Sequence, residues 1–265
     1  MRTRTRLRPA LGKLCLCLAL AGSALANAAA SPTREMVFIL PLSYGMPLAR
    51  VQQGELTGGL LQEFGDALAS RLGHRARSLL LPQVRVEAAL ATGKADALCY
   101  ATPEWMTGDY NWSVPLFRGS LIVVARPDAP ALHSLDELAD QPVGTISGHR
   151  YPQLETALGN KFIREDVSTT ELNLRKLSVG RMQYGIVDQM ALLYDMKHAD
   201  AAPLRADLVL GSFTAQCAFS RRSRIPFEEV NRALAALLKD GSLNALFTRY
   251  GCPPLSPARA RRSLP

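Results

Sequence analysis

Short apolar runs and segments of helical period take turns along the chain from residue 36 onward, and that alternation restricts the fold more than any other feature. MVFILPL (36–42) is apolar throughout, ends at a proline and leads into Ser43-Tyr44-Gly45, the pattern of a buried strand followed by a loop. After Gly58-Gly59, residues Leu60, Leu61, Phe64, Leu68 and Leu72 recur at three- and four-residue spacing until Gly73, which predicts an amphipathic helix with a glycine stop. RSLLLP and ADALCY read as further strands, with VRVEAALATGK as the helix between them. Strand and helix in turn point to an α/β layer with parallel pairing.

GSLIVVAR reads as a strand, and the two prolines of PDAP mark a crossing into a second unit of the same kind. There SLDELADQ is predicted as a helix, PVGTIS as a strand, YPQLETALG as a helix and IREDV as a short strand. TTELNLRKLSVGR is helical, YGIVD a strand and QMALLYDMK helical again. A second crossing falls near 211 to 217, followed by the strand CAFSRRS and two helices broken at Asp240-Gly241. A chain that crosses twice between two units has a cleft between them, a common location for pockets.

The first residues carry Arg2, Arg4, Arg6, Arg8 and Lys13, then an apolar run from Leu14 to about Ala26 with small residues at Ala24 and Ala26. That is the plan of a cleaved secretory signal over residues 1–26, since the run is shorter than the roughly 20 residues a spanning helix needs. Its removal lowers the formal charge from +8 to +3. Arg259, Arg261 and Arg262 lie in the tail 253–265, expected to be disordered, so the folded body is near neutral and offers no basic face to nucleic acid. The composition, 48% hydrophobic and 20% charged, is that of a globular protein.

Cys99, Cys217 and Cys252 remain beyond the signal, in a compartment that permits disulfides. Cys99 lies in an apolar run and reads as a buried thiol, which leaves Cys217 and Cys252 as the expected pair. The scattered histidines (His74, His133, His149, His198) and the lack of C-x-x-C or H-x-x-x-H spacing give no metal site and no cofactor is expected.

Several segments, taken in order, resemble the extracellular solute-binding proteins of the polar-amino-acid type (family 3), which serve ABC importers. GGLLQEFGDALASRLG with Glu63 is similar to that family's first helix, ADALCYATPEW to its strand and T-P-E turn, and NWSVPLF to its aromatic-Ser-x-Pro segment. PVGTISGHRY, GRMQYGIVD and CAFSRRS with the closing helices match in the second half. The resemblance implies a two-lobed periplasmic-binding-protein-like fold (type II) with two hinge crossings and a central cleft. The lobes expected are 34–124 with 216–252, and 125–215.

It also implies site residues, and here the departures matter. Trp105 stands where amino-acid binders carry an arginine for the ligand carboxylate, and an indole cannot make that pair. The segment from Asp96 to Thr102 is about three residues shorter than usual, and Gln183 replaces an acidic residue while Asp188 is kept. Tyr44 and Trp105 are expected to form an aromatic platform, and Asp188 to take an ammonium or to cap the following helix. Ser147 and Arg150, in a turn expected to have free backbone N–H groups, would take an anionic end. His149 is a structural residue or a titrating one, Trp112 is packing, and Glu104 an exposed helix-start residue.

The expected function is therefore a monomeric periplasmic protein, without a catalytic residue, that captures a small polar or zwitterionic solute other than a standard α-amino acid for an ABC permease. A sensory module acting on a separate membrane partner is the alternative. A dehydratase acting on cyclohexadienyl acids, as some relatives do, is a third.

Overall fold

The computed structural model describes residues 34–198 and 203–252. The expected signal and basic tail lie outside the described residues. The strands, in chain order, are β1 (Glu35–Pro41), β2 (Arg50–Gln52), β3 (Glu55–Gly58), β4 (Arg75–Leu81), β5 (Ala97–Ala101) and β6 (Asn111–Trp112). They continue with β7 (Phe117–Ala125), β8 (Pro142–Ile146), β9 (Ile163–Val167), β10 (Tyr184–Asp188) and β11 (Arg205–Phe219). The helices are α1 (Leu60–Arg71), α2 (Val86–Ala91), α3 (Pro152–Leu158), α4 (Thr170–Ser178), α5 (Gln189–His198), α6 (Phe227–Lys239) and α7 (Ser242–Arg249).

All strands but the β2–β3 hairpin join one curled path, β4-β1-β5-β11-β7-β10-β8-β9, with β6 also on β11. β1 pairs parallel with β4 and β5, and β8 pairs parallel with β9 and β10, as alternating strands and helices require. The exceptions are β7 and β11, which run antiparallel to each other and to their other partners. These two carry the chain between the lobes. β11 is a single strand of fifteen residues that runs through the crossing expected near 211 to 217, and it begins well before the expected strand CAFSRRS.

Each lobe has its own core. In the first, Leu60, Phe64 and Leu68 of α1 are buried against Met36, Phe117 and Phe247, the α1 stripe read from the sequence. Burying each such side chain stabilises the fold by roughly 1.5–3 kcal/mol. In the second, Leu138, Val143, Leu154 and Ile186 form one cluster and Leu174, Leu177 and Val187 another. Glu63 ties the first helix to the last, accepting from the Tyr250 hydroxyl at 2.5 Å and pairing with Arg249 at 3.0 Å.

Gly59 enters α1 with φ 112°, and a Cβ there would lie 2.6 Å from the Leu48 carbonyl oxygen. Gly59→Ala therefore combines left-handed backbone strain with a backbone clash, and is expected to cost roughly 2 kcal/mol or more in chemical denaturation.

Two expectations are corrected. SLDELADQ forms only a single 3-10 turn, Leu135–Leu138, because Ser134 makes no capping hydrogen bond and Asp140 turns the chain with φ 60°. The disulfide joins Cys99 to Cys217, whereas Cys252 is a buried free thiol. The reason is register: Cys99 of β5 and Cys217 of β11 are cross-strand partners with Cα atoms 4.0 Å apart. Cys252 instead packs its sulfur on Met190, and burial, then the Asp188 charge, pushes its thiol up to about 12.

Candidate functional site

A cavity of about 400 Å³ opens between the lobes, beside the carboxyl ends of β1, β5, β8 and β10. Parallel strands leave this end to loops, so side chains from both lobes reach the same space. Its wall includes Tyr44, Tyr100, Trp105, His149, Arg150 and Asp188. Glu87 and Glu104 add two further carboxylates. Ser147 is exposed and does not line the cavity.

Asp188 ends β10. Its Oδ1 accepts the Met190 backbone N–H at 2.8 Å, capping the start of α5, and its Oδ2 accepts the hydroxyl of Tyr100 from the opposite lobe. Burial pushes the carboxyl up to about 7, only partly offset by the Met190 bond. Helix capping and a cavity-facing acidic group thus coexist in one residue.

Trp105 sits on a 3-10 turn, Pro103–Trp105, and remains 40% exposed at the cavity. Its ring leans on Phe213 at 4.6 Å and on Tyr100 at 6.4 Å between centroids. Tyr44 donates to the Tyr100 carbonyl at 3.0 Å, and its phenol is held protonated by burial, then by the Asp188 charge. Trp112 lies away from the cavity wall, half-buried on β6 against Tyr110. Glu104 accepts the Thr102 hydroxyl, and Glu87 holds Thr107 through both its backbone N–H and its hydroxyl.

The turn Ser147–Tyr151 differs from expectation. The Ser147 N–H donates to the Val167 carbonyl, that of His149 to Ile146, and that of Tyr151 to Glu155, so three donors expected to face a ligand are taken. The Arg150 side chain is 76% exposed, its nearest charged partner being Glu155 at 3.9 Å. His149 contacts the Ser43 hydroxyl across the cleft at 3.4 Å. Burial, then the nearby Arg164 charge, brings its pKa down to about 4, so the ring is neutral near pH 7. The same seam is fastened by Thr170, whose N–H and hydroxyl both donate to the Ser43 carbonyl, at 3.1 and 3.2 Å.

Tyr100 was not singled out from the sequence. Cys99 pairs with Cys217 and Ala101 with Gln216, so Tyr100 is an extra residue in β5, a β-bulge, with φ 65°. The only hint in the sequence was an aromatic residue next to a cysteine.

Fold and cleft define the class: a two-lobed binding-protein architecture of type II, with a cavity built from both lobes. No family model matches the chain. It is 25% identical over 214 residues to YxeM of Bacillus subtilis, described as a probable amino-acid-binding protein, across 77% of this chain and 79% of that one. An ancestral arginine-binding protein bound to arginine superposes with a TM-score of 0.69 at 19% identity, covering 83% of this chain and 98% of the other. ArtJ of Geobacillus stearothermophilus, an arginine-, lysine- and histidine-binding protein, gives 0.70 at 18% identity over 83% and 97%. AncCDT-1, an ancestral amino-acid-binding protein and precursor of cyclohexadienyl dehydratase, gives 0.68 at 18% identity over 82% and 94%. In sequence and in fold the chain thus resembles the polar-amino-acid solute-binding proteins over most of the length beyond residue 33.

Proposed function

We propose that the protein is an exported solute-binding protein that captures a small polar ligand carrying a cationic group, other than a standard α-amino acid, for an ABC-type importer. The observation that carries this reading is the charge of the cavity wall. Among the described residues, Asp188, Glu87 and Glu104 line it against one cationic side chain, Arg150, which lies mainly in solvent, and a neutral His149. An α-carboxylate entering this space meets repulsion and no buried guanidinium, while an ammonium or guanidinium meets carboxylates and the rings of Tyr44 and Trp105. An anionic end is accommodated only at the mouth, beside Arg150. Export rests on the signal expected over residues 1–26, and among the described residues no helix is long and apolar enough to cross a membrane.

Thermal-shift and calorimetric titration with the twenty L-amino acids, agmatine, cadaverine and quaternary ammonium compounds tests the reading. Stabilisation by organic cations lacking an α-carboxylate is expected. Trp105→Ala is expected to weaken that binding about 5- to 20-fold, the effect of losing a partly desolvated cation–π contact. A strong response to ordinary L-amino acids that survives in Trp105→Ala overturns it.

One observation favours a catalytic reading: a cleft carboxyl at about 7 suits a general acid. The same wall opposes it, because cyclohexadienyl acids bring carboxylates into a space already lined by three. Turnover of prephenate or arogenate by the purified protein would establish that activity.

A further inference from the structure

Tyr100 holds a backbone conformation that residues other than glycine rarely adopt. Its φ of 65° lies in the left-handed region, at a bulge between the disulfide-linked Cys99 and Ala101. A bulge re-aims a side chain, and here it turns the phenol out of lobe 1 toward Asp188 of lobe 2. The ring is held on several sides: Tyr44 and Phe117 at 5.7 Å, Phe213 at 5.5 Å and Trp105 at 6.4 Å. The Tyr44 hydroxyl fastens its carbonyl as well. Backbone strain of this kind persists where surrounding contacts over-determine it. Here they direct one hydroxyl at the carboxylate that the proposed ligand uses.

We propose that Tyr100 is a specificity-determining residue that closes the cleft through Asp188 and makes ligands compete for that carboxylate. The inference rests on the cation-binding reading above. Because donor and acceptor belong to different lobes, opening the cleft separates them, and a ligand entering between them takes over the acceptor. A neutral hydroxyl exchanges one O–H···O bond for another and gains little. An ammonium or guanidinium puts a full positive charge where the phenol had a neutral donor, and so adds an ion pair to the hydrogen bond. The phenol therefore acts as a threshold that favours cations over alcohols and sugars of equal size.

Tyr100→Phe tests this, since it keeps the ring, the backbone strain and the Tyr44 bond to the carbonyl. Small-angle scattering is measured without additive, and thermal shift with agmatine and with 1,5-pentanediol as a neutral probe. The wild type is expected to respond to agmatine and not to the diol. The variant is expected to have a larger radius of gyration, about 5- to 10-fold tighter agmatine binding, and a new response to the diol. An unchanged radius together with unchanged responses overturns the proposal. Expansion of the variant with no agmatine response in either protein retains the bridge and discards the cation reading. Should Tyr100→Phe not fold, Asp188→Leu removes the acceptor, and it must expand in the same way.

Discussion

Replacing Asp188 by asparagine is expected to abolish most cation binding while raising the stability of the protein near pH 7.5. Asparagine caps a helix about as well as aspartate, so the bond from the Met190 N–H is retained and the start of α5 is undisturbed. What is lost is a buried charge facing the cavity. Agmatine affinity is expected to fall roughly 100-fold, the loss of a charge-assisted bond. Stability moves the other way. The native carboxyl titrates at about 7 against an ordinary 3.8, so between these values the native protein holds a proton that the unfolded chain has released. The stability from this group is complete below pH 4 and is lost as pH rises to about 7. Each intervening pH unit is worth roughly 1.4 kcal/mol, and with water at the cleft mouth the expected total is on the order of 2–4 kcal/mol.

His149 works against this in nearly the same window. Its native pKa of about 4 lies below the ordinary 6.5, so the unfolded chain holds the extra proton and stability is lost as pH falls from 6.5 to 4. The two slopes oppose, and urea unfolding of the wild type is expected to vary little between pH 4 and 7. Asp188→Asn exposes the histidine slope, with stability falling on acidification, and His149→Gln exposes the opposite one. Parallel profiles for all three proteins would refute both assignments.

Loss of the Cys99–Cys217 disulfide is expected to have the largest effect on stability. The bond closes a sequence separation of 118 residues, for which chain-entropy reasoning gives a contribution of roughly 4–5 kcal/mol. The double serine variant, or the reduced protein, is expected to unfold at lower denaturant and with a steeper slope, because the released unfolded chain is less compact. Of the three cysteines beyond residue 26, one is expected to react with a thiol reagent in urea and three after reduction. None is expected to react in the native state, where Cys252 is buried and its thiol titrates at about 12. Two reactive thiols in urea without reductant would contradict the pairing.

Most of the layer architecture was legible in the residues because it rests on burial periodicity, which is local. The runs at 36–42 and 184–188 and the stripe Leu60-Phe64-Leu68 say which face is covered, and they form the expected elements. β11 was harder, since register shifts after Ala206, Val209 and Gln216 break the two-residue alternation that marks a strand. Pairing of Cys99 with Cys217 depends on which strand lies beside β5, a non-local fact. Trp105 and Asp188 could be proposed from motif position, whereas Tyr100 could not. In ADALCY it reads as one more apolar residue, and only the bulge turns it to the cleft. The Ser147 turn failed for a related reason: sequence shows where backbone donors lie, but not that Val167 and Ile146 already receive them.

The cross-over pair has one further consequence. Ala125, where the chain leaves along β7, is the direct cross-strand partner of Arg205, where it re-enters on β11. Everything between them is an insert whose two ends lie side by side in register. A tight turn from Ala125 to Arg205 would keep the register of β7 on β11, but it would strip β10 from the other edge of β7 and uncover Val123 and Leu210, so the segment and the two strands that carry it form one exchangeable piece.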